Sequence, residues 1–93
     1  MRYELAHLQG KTVEGKTVNF VVFNAKPINN TASARDELLA ALMLAARRAK
    51  LNVEAGGLIY EENGQLQCWG DNFTRSWIEN NGIPSFNKTL DVS

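Results

Sequence analysis

The chain has 93 residues, enough for one small domain around one core and too few for a cofactor domain beside a substrate domain. Hydrophobic residues make up 44% and charged residues 22%, which excludes the polar, highly charged composition of disordered chains. Ten Lys and Arg offset ten Asp and Glu, so no global field draws the protein to nucleic acid or to an anionic membrane.

From Arg2 to Leu8 the residues alternate, with Tyr3, Leu5 and His7 on one face and Glu4, Ala6 and Leu8 on the other, as in a half-buried strand. A second β-prone run, Thr17 to Phe23, follows Glu14-Gly15, where glycine suits a tight turn, so residues 1–25 read as an antiparallel hairpin. Val18, Phe20 and Val22 share one face of the second strand while Val21 and Phe23 share the other, which predicts a central strand. Lys26 to Thr31 is a connection, because Pro27 removes a ladder donor and two asparagines follow.

Residues 33–50 are predicted to form a long helix capped by Ser33, with Asp36 and Glu37 in its first turn and Arg47, Arg48 and Lys50 in its last. Leu38, Leu42, Ala45 and Ala49 recur at helical spacing and give an apolar stripe that must pack on a sheet. Residues 57–70 form a second hairpin around Asn63-Gly64, a strong two-residue turn signal. With the turn there, Ile59, Leu66 and Cys68 face one side and Leu58, Tyr60, Gln67 and Trp69 the other. In the extension 71–93, Phe73 to Asn80 suggests a short helix after Asp71-Asn72, and Pro84 to Ser93 either returns as an edge strand or stays irregular. The predicted fold is α+β: a four-stranded antiparallel sheet, β-β-α-β-β, with the long helix on one face and a C-terminal extension.

Gly10 to Thr17 satisfies the phosphate-loop pattern G-x-x-x-x-G-K-[ST], yet that loop must open a helix, and Val18 to Phe23 is strand-like. Gly-Lys-Thr-Val also occurs twice, at Gly10 and Gly15, as expected of two strand ends flanking a turn. His7 has no ligand at metal spacing, and Cys68 beside Trp69 reads as a small buried hydrophobe, so neither a metal nor a cofactor is expected. A small enzyme using His7 or Cys68 is the third reading of the function.

Arg35 with Arg47, Arg48 and Lys50 forms a candidate basic stripe, although basic residues in a last helical turn also complement the dipole. Tyr60 and Trp69 form a candidate hot spot for a protein partner or a stacking platform for bases, unless the tail bearing Trp77 and Phe86 covers them. These six residues are the expected partner-binding set. An RNA or single-strand binder using them is the second reading, and the Leu58/Tyr60/Trp69 face or an edge strand could pair with a second copy, leaving monomer and homodimer both open.

The order of hairpin, Ser33-capped helix and Asn63-Gly64 hairpin resembles the architecture of small phage and mobile-element proteins that block host machinery, notably anti-CRISPR proteins. Several inhibitors of type I CRISPR surveillance complexes are likewise a small antiparallel sheet with one helix, and the resemblance transfers no individual residue. It implies a non-enzymatic inhibitor that docks on a host protein or ribonucleoprotein complex. With no charged-then-apolar leader or long apolar run, no membrane association is expected and the compartment is the cytoplasm, the host's for a phage-encoded chain.

Overall fold

The computed structural model describes residues 1–27 and 29–92; Ile28, inside the expected connection, and Ser93, at the end of the expected extension, lie outside the described residues. Seven elements follow in the order β1 (Arg2–Lys11), β2 (Thr17–Asn24), α1 (Ala32–Arg48), β3 (Ala55–Glu62), β4 (Gln65–Gly70), α2 (Asn72–Asn81) and β5 (Lys88–Asp91). They build an α+β fold with one five-stranded sheet in the order β4-β3-β2-β1-β5. The predicted four-stranded, all-antiparallel sheet is corrected in two respects. β5 adds a strand antiparallel to β1, and β2 and β3 run parallel, with Phe20 opposite Ala55 and Phe23 opposite Leu58.

The parallel pair follows from lengths. The 17 residues of α1 span about 26 Å, as do the 8 residues of β2, so the helix returns the chain to the end where β2 began. β3 then has to start level with β2 and run the same way.

β2 is central, and both its faces are apolar because each meets a helix. Val21 and Phe23 join Leu5, Leu58, Leu90 and the α1 residues Leu42 and Ala46 in one cluster. Phe20 and Val22 join Ala55 and Ile59 in the other, under Phe73, Trp77 and Ile78 of α2 and Phe86 of the tail. The consecutive glycines of β3 point to opposite faces and admit one helix each. A Cβ on Gly56 would collide with the Met43 sulfur of α1, and one on Gly57 would lie 2.9 Å from Thr74 Cγ2 of α2.

The caps refine the predicted boundaries. Thr31, not Ser33, caps α1, its Oγ1 accepting from Ala34 N at 3.1 Å, so Asp36 and Glu37 fall beyond the first turn. At the other end Lys50 has φ 68°, Lys50 N donates to Arg47 O and Leu51 N donates to Ala46 O, a left-handed C-terminal cap with lysine where glycine is commonest. Asp71 caps α2: Oδ1 accepts from Thr74 N and Oδ2 from Gly56 N of β3, both at 2.8 Å. The Asn63-Gly64 turn has positive φ at both residues, 53° and 78°, and sets the predicted register with Ile59 opposite Cys68 and Leu58 opposite Trp69.

Thr74 is fully buried, and its hydroxyl has no hydrogen-bond partner among the described residues. An unsatisfied buried hydroxyl costs about 1–3 kcal/mol, and valine has nearly the same shape. Thr74→Val is expected to raise stability by about 1 kcal/mol, read as an increase of about 4–8 °C in Tm. A lower Tm would mean that the hydroxyl is bonded in solution.

Candidate functional site

The six expected partner-binding residues fall into two separate groups. Tyr60 and Trp69 lie side by side under the N-terminal half of α1, and the Arg35 guanidinium stacks on both, 5.0 Å from the Tyr60 ring centre and 4.4 Å from that of Trp69. Trp69 Nε1 donates to Asp36 Oδ1 at 2.7 Å, Arg35 Nη1 donates to Asn30 Oδ1, and Asn30 Nδ2 donates to Glu62 Oε2. Arg35 stands four residues after the Thr31 cap, on the part of α1 that lies over these two rings. Tyr60 is 8% exposed, so its ring offers little surface to a partner. The cover is α1, whereas Trp77 and Phe86, the residues considered as a lid, pack on the opposite face.

Arg47, Arg48 and Lys50 lie at the far end of α1, exposed and with no ion pair among the described residues. Twelve residues of helix put Arg47 about 18 Å along the axis from Arg35, so the four cations do not form one continuous stripe.

His7 and Cys68 stand apart. β2 and β3 separate their strands, a distance of about 14 Å, and they belong to opposite faces of the sheet. His7 Nε2 lies 2.8 Å from Asn52 O and must be the donor there, since a carbonyl only accepts. Burial pushes the Cys68 thiol up to about 11, opposed by the nearby Arg75 and reinforced by Asp71. The thiolate is the nucleophile, so at pH 8 only about a thousandth of Cys68 is reactive. Alkylation at pH 8 is therefore expected to be about a hundredfold slower folded than in denaturant, with the folded rate climbing until about pH 11. Equal rates at pH 8 would contradict the burial. The linkage has a definite sign: the contribution of this thiol to stability is intact below pH 9 and is lost as pH rises through 11, because the unfolded chain gives up its proton first.

The phosphate-loop pattern is a hairpin turn. Gly15 N donates to Thr12 O, Thr12 N to Lys16 O and Lys16 N to Thr12 Oγ1, so the amides there are committed to the turn and β2 follows instead of a helix. Among the described residues no three His, Cys, Asp or Glu converge as metal ligands, and no helix is long and apolar enough to cross a membrane.

Sequence reasoning allowed for an edge strand able to pair without saying which strand it is, and the sheet order makes it the outer edge of β4. Asp71 N donates to Gly56 O, and the antiparallel register alternates from that bond, so Trp69 and Gln67 spend their backbone groups on β3 while Leu66, Cys68 and Gly70 turn theirs outward. Gln65 to Gly70 contains no charge, no proline and no bulge, the devices that normally blunt an edge. The opposite edge is guarded: β5 has four residues, Lys88 and Asp91 among them, with Asp91 near Arg2 at 3.8 Å. Beside β4, on the α2 face, a groove of about 490 Å³ runs between the strand and the helix, with Leu66, Cys68 and Ile78 as apolar walls and Arg75 and Glu79 at its rim. Leu66 is 60% exposed there. The uncharged run is visible in the sequence; that it forms an edge depends on strand order.

No protein-family model, curated protein or solved structure matches this chain.

Proposed function

We propose that this protein is a non-enzymatic binding module that docks by its β4 edge on a strand of a larger host protein or ribonucleoprotein complex. In the resembling class of small phage and mobile-element inhibitors, the target would be an assembly such as a CRISPR surveillance complex. The observation that carries the reading is the unblunted edge, with Leu66, Cys68 and Gly70 offering backbone donors and acceptors beside an apolar groove. Strand addition uses main-chain hydrogen bonds for affinity and alternate side-chain pockets for specificity. The surface supplies both without requiring a global charge.

The test is capture of partners from host lysate, with and without nuclease, comparing the native chain with Leu66→Lys. The substituted side chain is exposed and its amide is not in the ladder, so Leu66→Lys should fold normally and lose more than about tenfold in partner retention by placing a charge on the edge. A nuclease-resistant protein complex lost in Leu66→Lys supports the reading, and the same complex retained unchanged by that variant sinks it. Nuclease-sensitive, steeply salt-dependent retention would move the function to RNA or single-strand binding, with Arg47, Arg48 and Lys50 as the exposed cations available for it.

A further inference from the structure

We infer that in the free protein a second copy of the chain caps β4, pairing antiparallel across a two-fold axis centred on Gln67, so that docking on a target displaces this copy. The inference rests on β4 being the docking edge and concerns how that edge is kept from indiscriminate pairing. An uncharged edge of six residues is an aggregation hazard unless covered, and nothing within the described chain covers it.

Symmetry and charge select the register. Two copies of β4 can exchange backbone bonds only between outward-facing residues, so the two-fold must fall on a residue: on Cys68 it pairs Leu66 with Gly70, and on Gln67 it pairs Leu66 with Cys68 and leaves Gly70 beyond the paired stretch, opposite the turn. α2 starts at the Gly70 end of β4 and shares its groove as far as Leu66, so it runs back along the strand, with Arg75 nearer Cys68 and Glu79 farther along. An axis at Cys68 would bring Arg75 against its own copy. Moving the axis to Gln67 pairs Leu66 with Cys68 of the second copy and sets each Arg75 opposite the other copy's Glu79.

Neither charge has an ion-pair partner among the described residues; the Arg75 guanidinium donates to Asn72 Oδ1 of its own helix. The low end of specific interfaces, about 600 Å² per partner, would be a tenth of the 6007 Å² surface of this chain, a size that suits a micromolar dimer that a tighter target can replace.

The experiment is sedimentation of the full chain from about 1 μM to about 1 mM, with mass expected to rise from 10.3 kDa to twice that value. Leu66→Lys should remain monomeric. Arg75→Glu and Glu79→Arg should each weaken the dimer about tenfold by creating two like-charge contacts, and the double reversal should recover it. Gln67→Cys combined with Cys68→Ser should give a disulfide-linked dimer under mild oxidation, because non-hydrogen-bonded partners across antiparallel strands have Cα atoms about 4.5 Å apart.

A native chain that oxidises through Cys68 to Cys68, or a double reversal that fails to recover association, overturns the register and with it the inference. A chain monomeric at every concentration overturns the capping, and if Leu66→Lys still loses its lysate partner the docking edge stands without it. A dimer of the expected register whose partner retention ignores Leu66→Lys overturns both the docking reading and the capping role of the second copy.

Discussion

Phe20→Ala is expected to cost about 3–5 kcal/mol, the range for deleting a buried aromatic ring from a packed core. Phe20 is 0% exposed, with its ring centre 5.3 Å from Phe73 in an edge-to-face arrangement and 5.2 Å from Trp77. These two rings are the principal aromatic purchase of α2 on the sheet. The floor of the cluster, Val22 and Ile59, belongs to hydrogen-bonded strands and cannot collapse far into the space left. A domain of 93 residues has a total stability of roughly 5–14 kcal/mol, so the loss is a large share and can unfold the chain outright. Urea titration checks it through a lower midpoint at unchanged slope, with Phe20→Leu losing markedly less. A shift of under about 1 kcal/mol would mean that α2 does not pack on this face in solution.

Asp71→Ala comes next, at about 2–4 kcal/mol, because one carboxylate serves two elements. Its Oδ1 caps α2 through Thr74 N and its Oδ2 holds Gly56 N at the start of β3, so alanine leaves an uncapped helix and an unpaired strand amide together. A cap alone is worth about 0.5–2 kcal/mol, and a partly buried amide left without a partner adds about 1–3. Amide hydrogen exchange separates the two losses: Thr74 and Gly56 should both lose protection in Asp71→Ala, whereas Asp71→Asn, which keeps one acceptor oxygen, should spare one of them. Unchanged exchange at Gly56 would show that the β3 tie is dispensable. The same variant should widen the groove beside β4, since Asp71 fixes where α2 begins relative to Cys68 and Leu66.

The candidate site divides along the same line between local and distant causes. Alternation from the Asn63-Gly64 turn, a short-range rule, correctly places Tyr60 and Trp69 on one face of one hairpin. Their cover is not legible locally, because Arg35 is 25 residues before Tyr60 in sequence and reaches it only once α1 lies across the sheet. Thr31 and Ser33 are both residue types that cap helices, and the folded chain uses Thr31, whose Oγ1 accepts from Ala34 N. The basic residues of the last helical turn are legible as a cap, and Lys50 takes a backbone role there as the left-handed residue that ends the helix.

The hairpins, the long helix, the short helix after Asp71 and the two apolar faces of β2 follow from the order of residues alone. Each of these depends on residue periodicity or turn sterics within a few positions. The parallel pairing of β2 with β3, the docking of Lys88–Asp91 on β1, the helix that covers each face and the strand left as an open edge emerge only in the folded chain. Those outcomes are set by contacts between residues tens of positions apart, whose energies come from burying both sides of one sheet at once and leave no mark on any local run of residues.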